Sequence, residues 1–388
     1  MTRRATARGE DRSSLDGTSV DVLICGASFA GLAVARELAG SAASMLLIDR
    51  YEIGERATSA CAAPTPWLAA MGVQGAISQE IPHMRFTTPH GSFRYRLPWS
   101  WSSFDYRRLC ELLYEQSGVR FETAKVKGRA PGAPPARGGE IAVETDRGTI
   151  RARLVVDALG WRRVLAASGY QPPDAPLSRG LEVHPHTDAS GSGDLDVWIE
   201  RSLVRRGYGW CVPAGAEARV GVGSYAPEDH VRAPTVALAG RLGMPAERYQ
   251  GNWFPHRLRA ATEDGVFFVG DSAGHCFALS GEGIRTAFYF GIACGRELRA
   301  VLEQARSRED ALRRYARFSA SHRRAYAIAL GLQRLIPALP PRALTLLLRA
   351  IGSQGIVDRA FGWYLDQAHP SFALPAGAQE RPVTALAA

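Results

Sequence analysis

The sequence predicts an α/β fold in which a parallel-sheet nucleotide-binding domain is interrupted by a mainly β domain and followed by a C-terminal helical segment. A strand, glycine turn and helix near the N-terminus, a second strand entering a glycine-flanked aspartate near residue 270, and short alternating strands between them carry that prediction. A chain of 388 residues, 46% hydrophobic and 22% charged, is long enough for two cores or one large discontinuous one. No apolar run approaches the roughly 18 residues of a membrane span. Disorder, collagen and an integral membrane channel are excluded.

Residues 1 to 18 are polar. Arg3, Arg4 and Arg8 imitate the start of a signal peptide, but Glu10, Asp11 and Asp16 intervene, so a disordered extension is expected there. Val20 to Cys25 then form an aliphatic strand that stops at Gly26, and Phe29 to Leu38 follow with helical spacing. A second apolar run, Met45 to Ile48, ends at Asp49, 23 residues after Gly26, with Arg50 beside it. This is a dinucleotide-binding fingerprint in its required strand–turn–helix context. Gly26 permits the turn, Gly31 lets helix and strand pack closely, and the helix N-terminus offers free amides to a pyrophosphate. Ser28 stands where the middle glycine is usual.

Arg153 to Asp157 form a strand entering an Asp-x-x-Gly turn at Gly160, and Gly265 to Gly274 repeat the pattern as a strand running into Gly270-Asp271 and closing at Gly274. Ser280-Gly281-Glu282-Gly283 then opens a helix with small and apolar positions at Ile284, Ala287, Phe288, Gly291, Ile292, Gly295 and Leu298. Asp271 is placed to bond ribityl hydroxyls, and the Gly281–Gly283 amides to face negative charge on a reduced flavin. Glu282 is read as an N-terminal charge or a loop ligand.

Three such turns resemble the FAD-dependent oxidoreductases of the para-hydroxybenzoate-hydroxylase fold, and most closely the geranylgeranyl reductase family. The family's features recur as Glu52-Ile53-Gly54 followed by Cys61, as Gly207-Tyr208-Gly209-Trp210-Cys211-Val212-Pro213 followed by Val220 to Gly223, and as Gly270 to Gly274 leading to Gly281-Glu282-Gly283-Ile284. The chain departs from the family at Ala278, where a proline is usual, and at Trp101, where an arginine is usual. The resemblance, over roughly residues 20 to 300, implies a Rossmann-like FAD-binding domain in 19–76, 101–172 and 256–306 and a substrate domain in 77–100 and 173–255; amphipathic spacing predicts C-terminal helices with a loose tail in 307–388. It implies FAD as cofactor, with NAD(P)H or a separate reduced donor as electron source. Tyr208, Trp210 and Pro213 are expected to line the substrate cavity, and Asp157 to contact the cofactor. Cys61 matches a family cysteine and is either a proton donor or a buried thiol. His275 and Cys276 sit in the loop over the flavin, which makes either a candidate acid–base group, with a structural histidine as the alternative for His275.

The implied activity is reduction of carbon–carbon double bonds in a large apolar isoprenoid. A flavin monooxygenase is the alternative. A halogenase needs a lysine, and only Lys125 and Lys127 are present, in or near a Pro/Gly/Ala-rich stretch from Gly128 to Gly139. The net charge is +9, but arginines never run longer than pairs, which suits a pyrophosphate or an anionic membrane surface and gives no expectation of nucleic acid. Six cysteines without a C-x-x-C pair give no metal site and no disulfide framework, so a reducing, cytoplasmic setting is expected. Arg334, Arg342, Arg349 and Arg359, interleaved with leucines and isoleucines, mark helices that close the core, cover the cavity or make peripheral membrane contact. The oligomeric state stays open.

Overall fold

The strand of the glycine fingerprint, β1 (Thr18–Cys25), is buried on both faces from Val22 to Cys25, which its unbroken aliphatic run requires of a central parallel strand. The computed structural model describes residues 12–57, 60–130, 139–166, 177–186 and 193–374. After β1 come α1 (Phe29–Glu37), β2 (Met45–Asp49), β3 (Ala62–Pro64), α2 (Thr65–Ala70), the long hairpin β4 (Ile77–Thr88) and β5 (Gly91–Phe104), and α3 (Tyr106–Glu115). Short strands β6 (Arg120–Thr123), β7 (Val126–Arg129) and β8 (Ile141–Thr145) lead to β9 (Gly148–Asp157). Then follow β10 (Leu177–Val183), β11 (Leu195–Trp198), β12 (Gly207–Pro213), β13 (Ala218–Ser224), α4 (Arg232–Arg241) and β14 (Gln250–Pro255). The chain returns through β15 (Thr262–Glu263) and β16 (Val266–Phe268) to α5 (Ile284–Leu302) and finishes with α6 (Arg308–Ser321), α7 (Arg323–Ala338), α8 (Pro341–Ala350) and α9 (Gln354–Asp366).

One sheet has the order β15-β16-β9-β1-β2-β6, parallel from β16 to β6, with β7 and β8 attached beside β9. The other runs β14-β10-β13-β12-β11-β4-β5-β3 and is antiparallel except between β11 and β4. Helix α5 lies on α1 at backbone distance, and its glycines are the reason. A Cβ at Gly291 would come within 2.8 Å of Ala30 O, and one at Gly295 within 2.5 Å of Glu37 Cβ.

Two boundaries differ from the sequence expectation. The extension does not reach residue 18, because Leu15 is buried and Arg12 donates to Thr123 O at 2.7 Å. The second sheet also takes more chain than 77–100, since β5 runs to Phe104 and β3 pairs with it. The expectations for residues 1–11, for the loop tip 131–138 and for the tail from 375 fall outside the described residues. The C-terminal helices close the core, as Tyr315 donates to Phe268 O and Trp67 donates its indole N–H to Ala368 O. Among the described residues no helix is long and apolar enough to cross a membrane.

Candidate functional site

The strand register decides where the distant motifs meet. Phe268 pairs with Asp157, Asp157 with Cys25, and Cys25 with Ile48, so β16, β9, β1 and β2 end side by side. The turns that leave them therefore share one edge, the edge at which open α/β sheets bind ligands. A cavity of about 680 Å³ starts there and continues to the face of the second sheet.

At the first turn Gly26 has φ +113°, and a Cβ on it would lie 2.3 Å from Ala158 O. Gly31 is equally fixed, because its Cβ would lie 1.9 Å from Gly26 O. Neither touches the cavity itself; they bring Ala27, Ser28, Phe29 and Ala30 to its wall. Ser28 is accommodated by extended backbone, and its hydroxyl turns to Tyr106 Oη at 3.1 Å instead of capping the helix. The first turn of α1 thus holds no acidic residue and no side-chain cap, and its amides remain open to an anion. Asp49 lies on the wall, where Oδ2 accepts from Ala27 N–H at 2.8 Å and Oδ1 from Tyr51 N–H at 3.1 Å. Burial raises its carboxyl from the ordinary range, and spare lone pairs remain for a hydroxyl. Arg50 lines the cavity next to it.

Asp271 is the group whose surroundings test a flavin cofactor most directly. Its carboxylate lines the cavity, and among the described residues no donor reaches it. Burial raises it to about 6, against the opposing pull of the Arg259 guanidinium. A ligand with several hydroxyls would supply the missing donors, which is what a ribityl chain carries. Gly270, Gly281 and Gly283 line the same stretch, and the uncapped N-terminus of α5 opens onto it. The residues present fit FAD.

The opposite wall is the second sheet. Alternation puts Met84 and Phe86 of β4, Leu195 and Val197 of β11, and Tyr208, Trp210 and Val212 of β12 on the cavity side. Tyr208 donates to Ser280 O and thereby ties this sheet to the loop before α5. Trp210 lies against Gly221, where a Cβ would meet the indole at 2.2 Å, and donates from Nε1 to Glu182 Oε2 at 3.2 Å. Gln333 and Ile336 of α7 and Phe361 of α9 complete the wall, so the C-terminal segment covers the cavity as well as the core.

Several expected residues stand elsewhere. Pro213 is one step out of alternation, and Val212 takes the wall position. Asp157 is fully buried in a turn network, accepting from Leu159 N–H, Leu165 N–H and the Ser272 hydroxyl, while Ala158 and Gly160 reach the cavity. Gly274 has φ +68°, and a Cβ on it would meet Arg257 O at 2.0 Å, so the position requires glycine; it shapes the loop without lining the cavity. Cys61 sits between the wall residues Ala60 and Ala62, but its own side chain belongs to the core and burial pushes the thiol up to about 12. His275 stacks on Phe290 at 3.7 Å, bonds Ser319 Oγ at 3.0 Å, and is held well below its ordinary range by burial. Of the two neighbours His275 and Cys276, it is Cys276 that reaches the wall.

Glu282 reaches the wall, but its carboxylate is committed to Arg285 through contacts of 2.9 and 3.0 Å and to the Tyr364 hydroxyl. Arg285, fully buried, also donates to Leu365 O at 2.7 Å, and the pair fastens α9 to α5. Sequence reading missed Arg285 and Glu182 as anchor and wall residues, whereas Cys276 was one of its two acid–base candidates. The i, i+3 spacing of Glu282 and Arg285 at a helix start was the available signal for one of them.

No family model matches the chain. Digeranylgeranylglycerophospholipid reductase 3 of Methanosphaera stadtmanae is 24% identical over 343 residues, covering 78% of this chain and 83% of that protein. Among solved structures, a geranylgeranyl bacteriochlorophyll reductase-like protein of Thermoplasma acidophilum superposes with a TM-score of 0.76 at 17% identity, covering 92% of this chain and 98% of that one. A probable FAD-dependent monooxygenase of Pseudomonas aeruginosa superposes with a TM-score of 0.63 at 15% identity, covering 89% and 100%. The chain has the fold of FAD-dependent oxidoreductases.

Proposed function

We propose that the protein is an FAD-dependent reductase that saturates carbon–carbon double bonds of a large apolar, isoprenoid substrate. The observation that carries this reading is the continuity of one cavity from the nucleotide-binding edge of the first sheet to the apolar face of the second. Reduced FAD supplies hydride from N5 when bound. The α1 amides would hold its pyrophosphate, Asp49 its ribose and Asp271 its ribityl hydroxyls, and the α5 N-terminus would favour negative charge beside it. Tyr208, Trp210 and Phe86 keep water from the reacting carbons. Cys276 is the thiol on the wall, and burial keeps it protonated, so it is the group placed to give the proton that accompanies the hydride.

Electrons reach the flavin from NAD(P)H docking transiently or from a separate reduced donor. The C-terminal helices expose Leu335, Leu346 and Trp363 near Arg334, Arg342 and Arg349, a surface suited to taking substrate from a lipid phase. A monooxygenase is the second reading, favoured by the likeness to the Pseudomonas aeruginosa structure. A halogenase is disfavoured by position. Lys125 follows Ala124, whose N–H bonds Asp49 O, and so stands at the nucleotide end of the cavity. Anaerobic reoxidation of the reduced protein by an isoprenoid alkene tests the reductase reading against both.

A further inference from the structure

The wall of the second sheet is apolar across β4, β11 and β12 but not at its β10–β14 edge. There Glu182 pairs in register with Gln250, and Gly180 with Asn252, so the polar side chains of both pairs stand on the cavity face. Glu182 is only 3% exposed. Its Oε1 accepts from His184 Nε2 at 2.8 Å and Gln250 Nε2 at 3.0 Å, and its Oε2 accepts from Trp210 Nε1 at 3.2 Å. A carboxylate has about four acceptor sites, so one is left, on Oε2, the oxygen that faces Trp210.

Charge around the cavity is divided just as unevenly. Among the described residues the cations on its wall are Arg50, Arg56, Lys125 and Arg162, all from turns of the first sheet. The second sheet contributes no cation, and its carboxylate is Glu182. An anionic headgroup at this edge would meet a buried like charge with no counter-charge on the cavity wall of that sheet, whereas a hydroxyl would complete the acceptor shell. The sheet order places four strand spacings between β10 and β4, roughly 19 Å at ~4.8 Å each, over which an apolar chain can lie.

We infer that the substrate is an isoprenoid whose head is a neutral hydrogen-bond donor, an alcohol received by Glu182, and not a diphosphate or phosphate ester. This deepens the reductase reading and rests on it for the site's being the substrate site. The test is binding, read as perturbation of the oxidised flavin spectrum by geranylgeraniol and by geranylgeranyl diphosphate. Wild type is expected to bind the alcohol at least about tenfold more tightly. In Glu182→Gln, which keeps the side chain's size and its contact with Trp210, that preference is expected to fall towards parity. Diphosphate binding as tight as alcohol binding in wild type, no perturbation by either ligand, or an unchanged ratio in Glu182→Gln overturns the inference. Reduction of either ligand's double bonds is a separate reading, so the reductase proposal stands or falls independently of the preference.

Discussion

Trp210 donates its indole N–H to Glu182 at 3.2 Å across Gly221, and the absent side chain of Gly221 is what lets the ring lie flat between them. Substitution by alanine would put a Cβ 2.2 Å from the indole and 2.8 Å from Glu182 Cβ. Gly221→Ala is therefore expected to cost about 1–3 kcal/mol by overpacking and to weaken prenyl binding. Thermal unfolding and flavin-perturbation titration on the same variant check both effects.

Asp271 couples cofactor retention to pH. Its carboxyl sits at about 6 in the folded chain against an ordinary 3.8, so the ligand-free fold holds a proton that the unfolded chain has released. That contribution to stability is full below about 4 and is lost as pH rises to about 6. Ligand-free Asp271→Asn is expected to gain on the order of 3 kcal/mol relative to wild type across that window, measured by denaturant unfolding. Ligand hydroxyls favour the carboxylate, so FAD affinity should rise through the same range. Asp271→Ala and Asp49→Ala should fold yet lose FAD on gel filtration, and full retention in both would overturn the cofactor site.

Much of this arrangement was legible in the sequence because each strand–turn carries its own local signature. Gly26, Asp49 and Asp271 needed no tertiary knowledge, and parallel register then brought them to one edge. What escaped was direction. Val212 and Pro213 are neighbours in sequence, and a period-2 strand sends them to opposite faces, while Cys61 precedes β3 with φ +51° and turns into the core between two wall residues. Asp157 follows the family pattern but spends its oxygens on the turn beneath the cavity. Arg285 was hidden for another reason, since its partners on α9 lie some 80 residues away.

The buried Glu282–Arg285 pair anchors the C-terminal segment. Arg285→Leu leaves the carboxylate without its counter-charge in the interior and is expected to cost about 3–5 kcal/mol. Hydrogen exchange should then accelerate in α9 before it does in β1 or β9. Uniform exchange across the chain would place the anchor elsewhere.

The two thiols near the flavin end separate by position. Cys276→Ala is expected to slow alkene-driven reoxidation by a factor on the order of 10² in stopped flow, the scale of a lost general acid. Cys61→Ala, altering only the core, should leave that rate close to wild type. The reverse order would restore Cys61 as the proton donor and require the loop at residues 60–62 to turn over.

The central claim is tested most directly by a single anaerobic turnover. The purified protein is reduced with dithionite, geranylgeraniol is added without oxygen, and oxidised-flavin absorbance is followed together with the mass of the recovered lipid. Return of the absorbance, with a gain of two hydrogens for each double bond lost, is the expected result. A flavin that stays bleached with geranylgeraniol, geranylgeranyl diphosphate and a prenylated glycerolipid alike, and recovers only when oxygen enters, would contradict the reductase reading and favour a monooxygenase.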